Sequence, residues 1–126
     1  MIVTNKKDHN LYYNLGIIQF EKKNFSEAIF FLKKALSINS SFFLAYHQLA
    51  MIYEIQGDLS LAINNYQKAV ELDTEGYSLS HNNLGNVYLT LKDYEKAKLC
   101  FEKALALQGK KSSIYFNLGI VYFELN

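Results

Sequence analysis

Asn83-Leu84-Gly85-Asn86-Val87-Tyr88, followed at fixed distances by Ala97, Phe101 and Ala104, is the stretch from which the rest of the chain can be read. Leu49-Ala50 and Tyr53 stand before Ala62, Tyr66 and Ala69 at almost the same spacings. Leu15-Gly16 stands before Ala28, Leu32 and Ala35, and Asn117-Leu118-Gly119 with Tyr122 repeats the first half of the pattern. The marker leucines Leu15, Leu49, Leu84 and Leu118 are therefore 34, 35 and 34 residues apart. Self-similarity at such a period marks an array of helical units, none of which can bury its apolar face alone.

Within a unit the periodicity is helical. Tyr46, Leu49, Ala50 and Tyr53 fall at i, i+3, i+4 and i+7, one face of a helix. Lys23-Asn24, Gly57-Asp58 and Lys92-Asp93 interrupt the pattern. Asn24, Asp58 and Asp93 can each cap a following helix by accepting from its free N–H groups, and Asn24 with Glu27 has the spacing of a capping box. Each unit thus reads as a helix, a short turn and an antiparallel helix. The register predicts seven helices, near 9–22, 25–38, 42–56, 59–72, 77–91, 94–107 and 112–125. Gly16, Ala50, Gly85 and Gly119 would admit a neighbouring helix close to the backbone, and Tyr53, Tyr66, Tyr88 and Phe101 would fill the gaps.

These residues resemble the tetratricopeptide repeat (TPR) family, whose pattern runs aromatic-x-x-Leu-Gly-x-x-Tyr, then Gly-Asp at the turn, then Ala, an aromatic and Ala. The resemblance covers residues 9–126 and implies an all-α, right-handed α-α superhelix. It divides the chain into a loose lead-in over 1–8, repeats at about 9–42, 43–77 and 78–111, and a half repeat over 112–126. Gln19, Leu32 and His81 depart from the pattern, and the proline that often ends a repeat is absent. One extra residue near Gly76-Tyr77 lengthens a turn and is expected to alter the angle between the second and third units. The fourth unit stops where its turn should begin, so the chain reads as a fragment of a longer protein. Helix 112–125 is apolar almost all round and is expected to find cover, for instance by self-association.

Composition removes several classes of function. With 13 basic and 12 acidic residues interspersed, and a net charge of +1, there is no electrostatic footprint for nucleic acid. No apolar run reaches the roughly 18 residues of a membrane span. No signal-peptide-like segment opens the chain. Cys100 is the single cysteine, so no internal disulfide forms, which suits a reducing, intracellular compartment. His9, His47 and His81 show no i, i+4 pairing, and no phosphate-binding loop, dinucleotide fingerprint or nucleophile elbow occurs. No catalytic residue, cofactor or metal is expected. His81 is expected in the packing between helices, His47 on the inner surface, and Cys100 as a small packing residue.

What remains is surface. First helices should line the concave side of a stacked array. Residues two before, two after and five after each marker leucine turn toward that groove. They are Tyr13, Ile17 and Phe20; His47, Met51 and Glu54; Asn82, Asn86 and Leu89; and Phe116, Ile120 and Phe123. Ile55 adds to the same apolar face, and Glu21, Glu54 and Glu124 are its charged neighbours. One residue before each leucine stand Asn14, Gln48, Asn83 and Asn117. Such amides can pair with an extended peptide backbone, or simply bond within the stack. Long TPR superhelices carry a similar asparagine ladder, matched here by Asn14, Asn83 and Asn117. TPR domains that clamp a C-terminal carboxylate use Lys and Arg where this chain has Tyr13, Ile17, Gln48, Leu79 and Asn83. The reading is therefore a non-catalytic protein–protein interaction module, a scaffold or adaptor binding a peptide or helix of another protein. Its rivals are a regulatory or recruiting segment of a larger enzyme, and a self-assembling structural module.

Overall fold

The computed structural model of the protein describes residues 8–73, 79–107 and 112–126. Among these residues there are seven helices and no strand: α1 (His9–Glu21), α2 (Phe25–Ile38), α3 (Phe43–Ile55), α4 (Leu59–Leu72), α5 (Leu79–Thr90), α6 (Tyr94–Leu107) and α7 (Ser112–Leu125). The ends that can be compared within the described residues agree with the register to within one residue, and the expected start at 77 lies outside them. The lengthened turn at Gly76-Tyr77 and most of the lead-in lie outside the described residues.

The three helix–helix turns share one construction. The amide of Asn24 donates to the Gln19 carbonyl, that of Asp58 to Tyr53, and that of Asp93 to Tyr88, each at 2.8–2.9 Å. The preceding amides of Lys23, Gly57 and Lys92 reach the carbonyls of Phe20, Glu54 and Leu89. This pair of bonds is a Schellman ending, which requires a left-handed residue just past the helix. Gly57 takes φ 83° at that place, while Lys23 and Lys92 take 64° and 63°. Glycine adopts this conformation freely; lysine must push its Cβ toward the backbone to do so.

Asp58 and Asp93 cap as expected, their carboxylates accepting from the amides of Leu61 and Lys96. Asn24 does not. Its side chain makes no cap bond and instead donates to Gln19 Oε1 at 2.9 Å. The cause is local: Gln19 offers a side-chain carbonyl one turn back, and the Asn24 amide takes it.

Helices pair as α1 with α2, α3 with α4 and α5 with α6, and successive pairs stack through α2 on α3, α4 on α5 and α6 on α7. The result is a helical solenoid. Two buried clusters form its core. One gathers Ala28, Leu32, Ala45, Leu49 and Ile52. The other begins at Ala50, Ala62 and Tyr66 and runs through Leu84, Val87 and Phe101 to Ile114, Leu118 and Val121. The two divide α3 between them, which explains why that helix is apolar on most of its circumference.

Candidate functional site

The residues expected along the groove differ widely in burial. Tyr13 and Phe20, partly buried, pack on the first core cluster. The Tyr13 ring meets Phe42 edge-on at 5.1 Å, and Phe20 lies 5.9 Å from Phe25. Burial raises the Tyr13 pKa above its ordinary value. Ile17 is half-buried and Asn14 is exposed.

His47 and Gln48 are only 5% and 8% exposed, so they lie within the stack and not on its inner face. The His47 ring packs against Tyr66 with centroids 5.5 Å apart, and its Nδ1 is 2.7 Å from Ser80 Oγ on α5. Burial drives the His47 pKa down to about 4, leaving the ring neutral at physiological pH. This side chain is a strut between units. Its role was not legible from register counting, because the bond depends on how α5 is rotated against α3.

Met51, Ile55 and Asn83 do come together. With Glu54 and Tyr66 they line an open depression of about 340 Å³. Ile55 is exposed there, and Met51 and Leu89 pack partly onto the core. The Tyr66 hydroxyl donates to Glu54 Oε1 at 2.8 Å, and Asn83 bonds the same hydroxyl. Burial and the Glu54 carboxylate raise the tyrosine pKa, so the phenol stays protonated and holds the acid in place. Tyr66 belongs to a second helix, which is why counting along first helices did not bring it into the site.

The amides are partly committed to the stack. Asn117 Nδ2 donates to Asn86 Oδ1 at 2.9 Å, joining α7 to α5. Asn82 keeps a buried side-chain oxygen that has no hydrogen-bond partner among the described residues. Phe116, Ile120 and Phe123 are grouped with Tyr115, Gly119 and Glu124 along an open groove on α7.

Outside this face, His81 is half-buried and lines a cleft of about 330 Å³ with Gln67, Val70, Cys100 and Lys103. Burial lowers its pKa, with the Lys103 charge adding to the effect. Burial pushes the Cys100 thiol up to about 11, so it is not a ready nucleophile at neutral pH. Among the described residues, no group of three or more His, Cys, Asp or Glu could hold a metal ion. None of the described helices is long and apolar enough to cross a membrane.

Comparison with known proteins places this geometry in context. The Tetratricopeptide repeat pattern matches residues 9–42 and 42–110. BBSome complex member BBS4 of Bos taurus is 40% identical over 93 residues, covering 74% of this chain and 18% of that protein. The chain spans only 13–18% of the length of three such curated relatives. The first TPR of Spaghetti (RPAP3), solved bound to the HSP90 peptide SRMEEVD, superposes with a TM-score of 0.87 at 19% identity, covering 99% of this chain and 98% of that one. YrrB, described as a TPR protein with an unusual peptide-binding site, superposes at 0.84 with 24% identity, covering 93% and 60%. At these identities the two structures speak for the fold alone.

Proposed function

The chain belongs to the tetratricopeptide repeat family, and we propose that it serves as a non-catalytic protein-interaction module, a scaffold or adaptor that takes a peptide or amphipathic helix of another protein. The observation that carries this reading is the depression between α3, α4 and α5. Ile55 and Met51 supply apolar surface there, Asn83 an amide, and Glu54 one fixed carboxylate. Exposed apolar surface rimmed by polar groups marks interaction sites on soluble proteins. RPAP3 and YrrB lend support, each being a protein of this fold with a peptide site of its own.

The chemistry favours an apolar or weakly basic segment. Glu54 repels an acidic tail, and Tyr13, Ile17, Gln48, Leu79 and Asn83 offer no cation to a terminal carboxylate. Binding should therefore depend weakly on salt, since ion pairs contribute little. The test is selection from a displayed random-peptide library, followed by titration of the selected peptides at low and high salt. Each is measured with its C-terminus free and amidated. Ile55→Ala should weaken binding without lowering the melting temperature much, and Met51→Ala should weaken it too, with some loss of stability because Met51 also packs on the core. Peptides that ignore both substitutions, or that require the free carboxylate, would overturn this reading.

A further inference from the structure

The second helices share a small–bulky–small spacing whose bulky members, Leu32, Tyr66 and Phe101, are fully buried. The first helices have a matching place five residues after each marker leucine, held by Phe20, Glu54 and Leu89. Phe20 and Leu89 are apolar there and pack, partly buried, on the two core clusters. In the middle unit the same register carries a carboxylate, and the bulky residue facing it carries a hydroxyl. The first and third units stack with neither group, so the fold does not call for this pair.

The polar groups around the pair are incompletely used. Glu54 is half-buried, and its Oε1 accepts from the Tyr66 hydroxyl at 2.8 Å. The single hydroxyl proton is thereby committed, so Asn83, which bonds the same hydroxyl, does so as the donor. That leaves the Asn83 side-chain oxygen and Glu54 Oε2 without a hydrogen-bond partner among the described residues. No described residue pairs a cation with Glu54 either. A half-buried carboxylate held by one neutral donor is poorly compensated for the water it has lost. A charge-assisted bond to a cation would compensate it better.

The shape around these oxygens is suited to a long side chain. They belong to the open depression of about 340 Å³, whose apolar wall is Met51 and Ile55. Lysine lays its aliphatic stem along apolar surface and needs charge or water only at its tip.

We infer that the depression is a lysine pocket, and that the partner segment is anchored by one lysine set among apolar residues. The inference rests on the peptide-binding reading of the same depression and names the side chain that enters it. The stem lies against Met51 and Ile55, and the ammonium donates to Glu54 Oε2 and the Asn83 oxygen. Arginine fits less well. Its fork makes two parallel bonds to a carboxylate, and Oε1 is already taken by Tyr66. A single ion pair keeps the dependence on salt shallow.

The probes are the peptides selected on this chain from the displayed library. They should share one lysine. Acetylating that lysine removes its charge and should weaken binding about ten-fold. Glu54→Gln keeps an acceptor for the Tyr66 hydroxyl, so its melting profile should match the parent's. It should weaken the lysine peptide about ten-fold and leave the acetylated form unaffected. Ile55→Ala removes apolar wall without touching the charge and should weaken both forms. Failure to select any peptide, or peptides that ignore Ile55→Ala, would overturn the binding reading and the lysine pocket together. Peptides that respond to Ile55→Ala yet lack a shared lysine, tolerate its acetylation or bind Glu54→Gln unchanged would overturn the lysine pocket alone. An arginine form bound more tightly than the lysine form would overturn the choice of an ammonium.

Discussion

Gly85 and Gly119 occupy the same place in two successive units, and their surroundings differ completely. Over Gly85 the Phe101 ring is so close that even a methyl group would collide with it. Over Gly119 there is nothing within 4 Å. The same residue, at the same register, is a packing necessity in one unit and an unfilled notch in the next. The notch is written in the first helix, and its filling depends on which helix lies across it.

The largest effect should come from emptying the filled notch. Phe101→Ala removes a fully buried ring and should cost about 3–5 kcal/mol, measured by denaturant unfolding. Phe123→Ala, on the open face, should change monomer stability little. Comparable losses from the two would erase the distinction between the regions.

Acid should separate the seams next. α3 is tied to α5 by the buried His47–Ser80 bond, and α5 to α7 by the neutral Asn117–Asn86 bond. Burial lowers the folded pKa of His47 to about 4, against 6.5 for the ordinary ring. The unfolded chain therefore takes up a proton below pH 6.5 that the folded chain refuses until about pH 4. The stabilising contribution is fully present above pH 6.5 and is lost progressively as pH falls to about 4, amounting to roughly 3 kcal/mol. His47→Gln should flatten that part of the stability–pH curve. A curve unchanged by the substitution would show that His47 is not the titrating strut.

One substitution made at both glycines should give opposite signs. Gly85→Ala forces the Phe101 ring to move and should destabilise by about 1–3 kcal/mol. Gly119→Ala meets nothing and gains helix propensity, so it should stabilise by about 0.5–1 kcal/mol. Equal signs in thermal melts would mean that the two notches are alike after all. An effect of similar size is expected at the turns: Lys92→Gly relieves a left-handed lysine and should stabilise by about 1 kcal/mol, while Gly57→Ala should do the reverse.

Most of the fold could be read from particular residues. Leu15, Leu49, Leu84 and Leu118 set the period, and Asp58 and Asp93 start helices by the cap bonds their side chains can make. Asn24 shows where such reading fails. Its own type and spacing suit a cap, but Gln19 one turn away competes for the same side chain. The inner face was less legible. Met51, Ile55 and Asn83 converge, whereas His47 and Gln48 lie inside the stack, because helical-wheel angles describe one helix and say nothing of its neighbour's rotation.

By itself the sequence determined what is local or periodic. Seven helices, their turns and the small–bulky–small spacing all arise from interactions within a unit, and a repeat carries them from one unit to the next. Only the tertiary structure decided which polar groups meet across units: His47 with Ser80, Asn117 with Asn86. It alone decided also how closely the Phe101 ring covers Gly85. These pairings depend on the rotation and rise between neighbouring units. A shift of an ångström or two makes or breaks a hydrogen bond, and residue spacing along a single helix does not encode that shift.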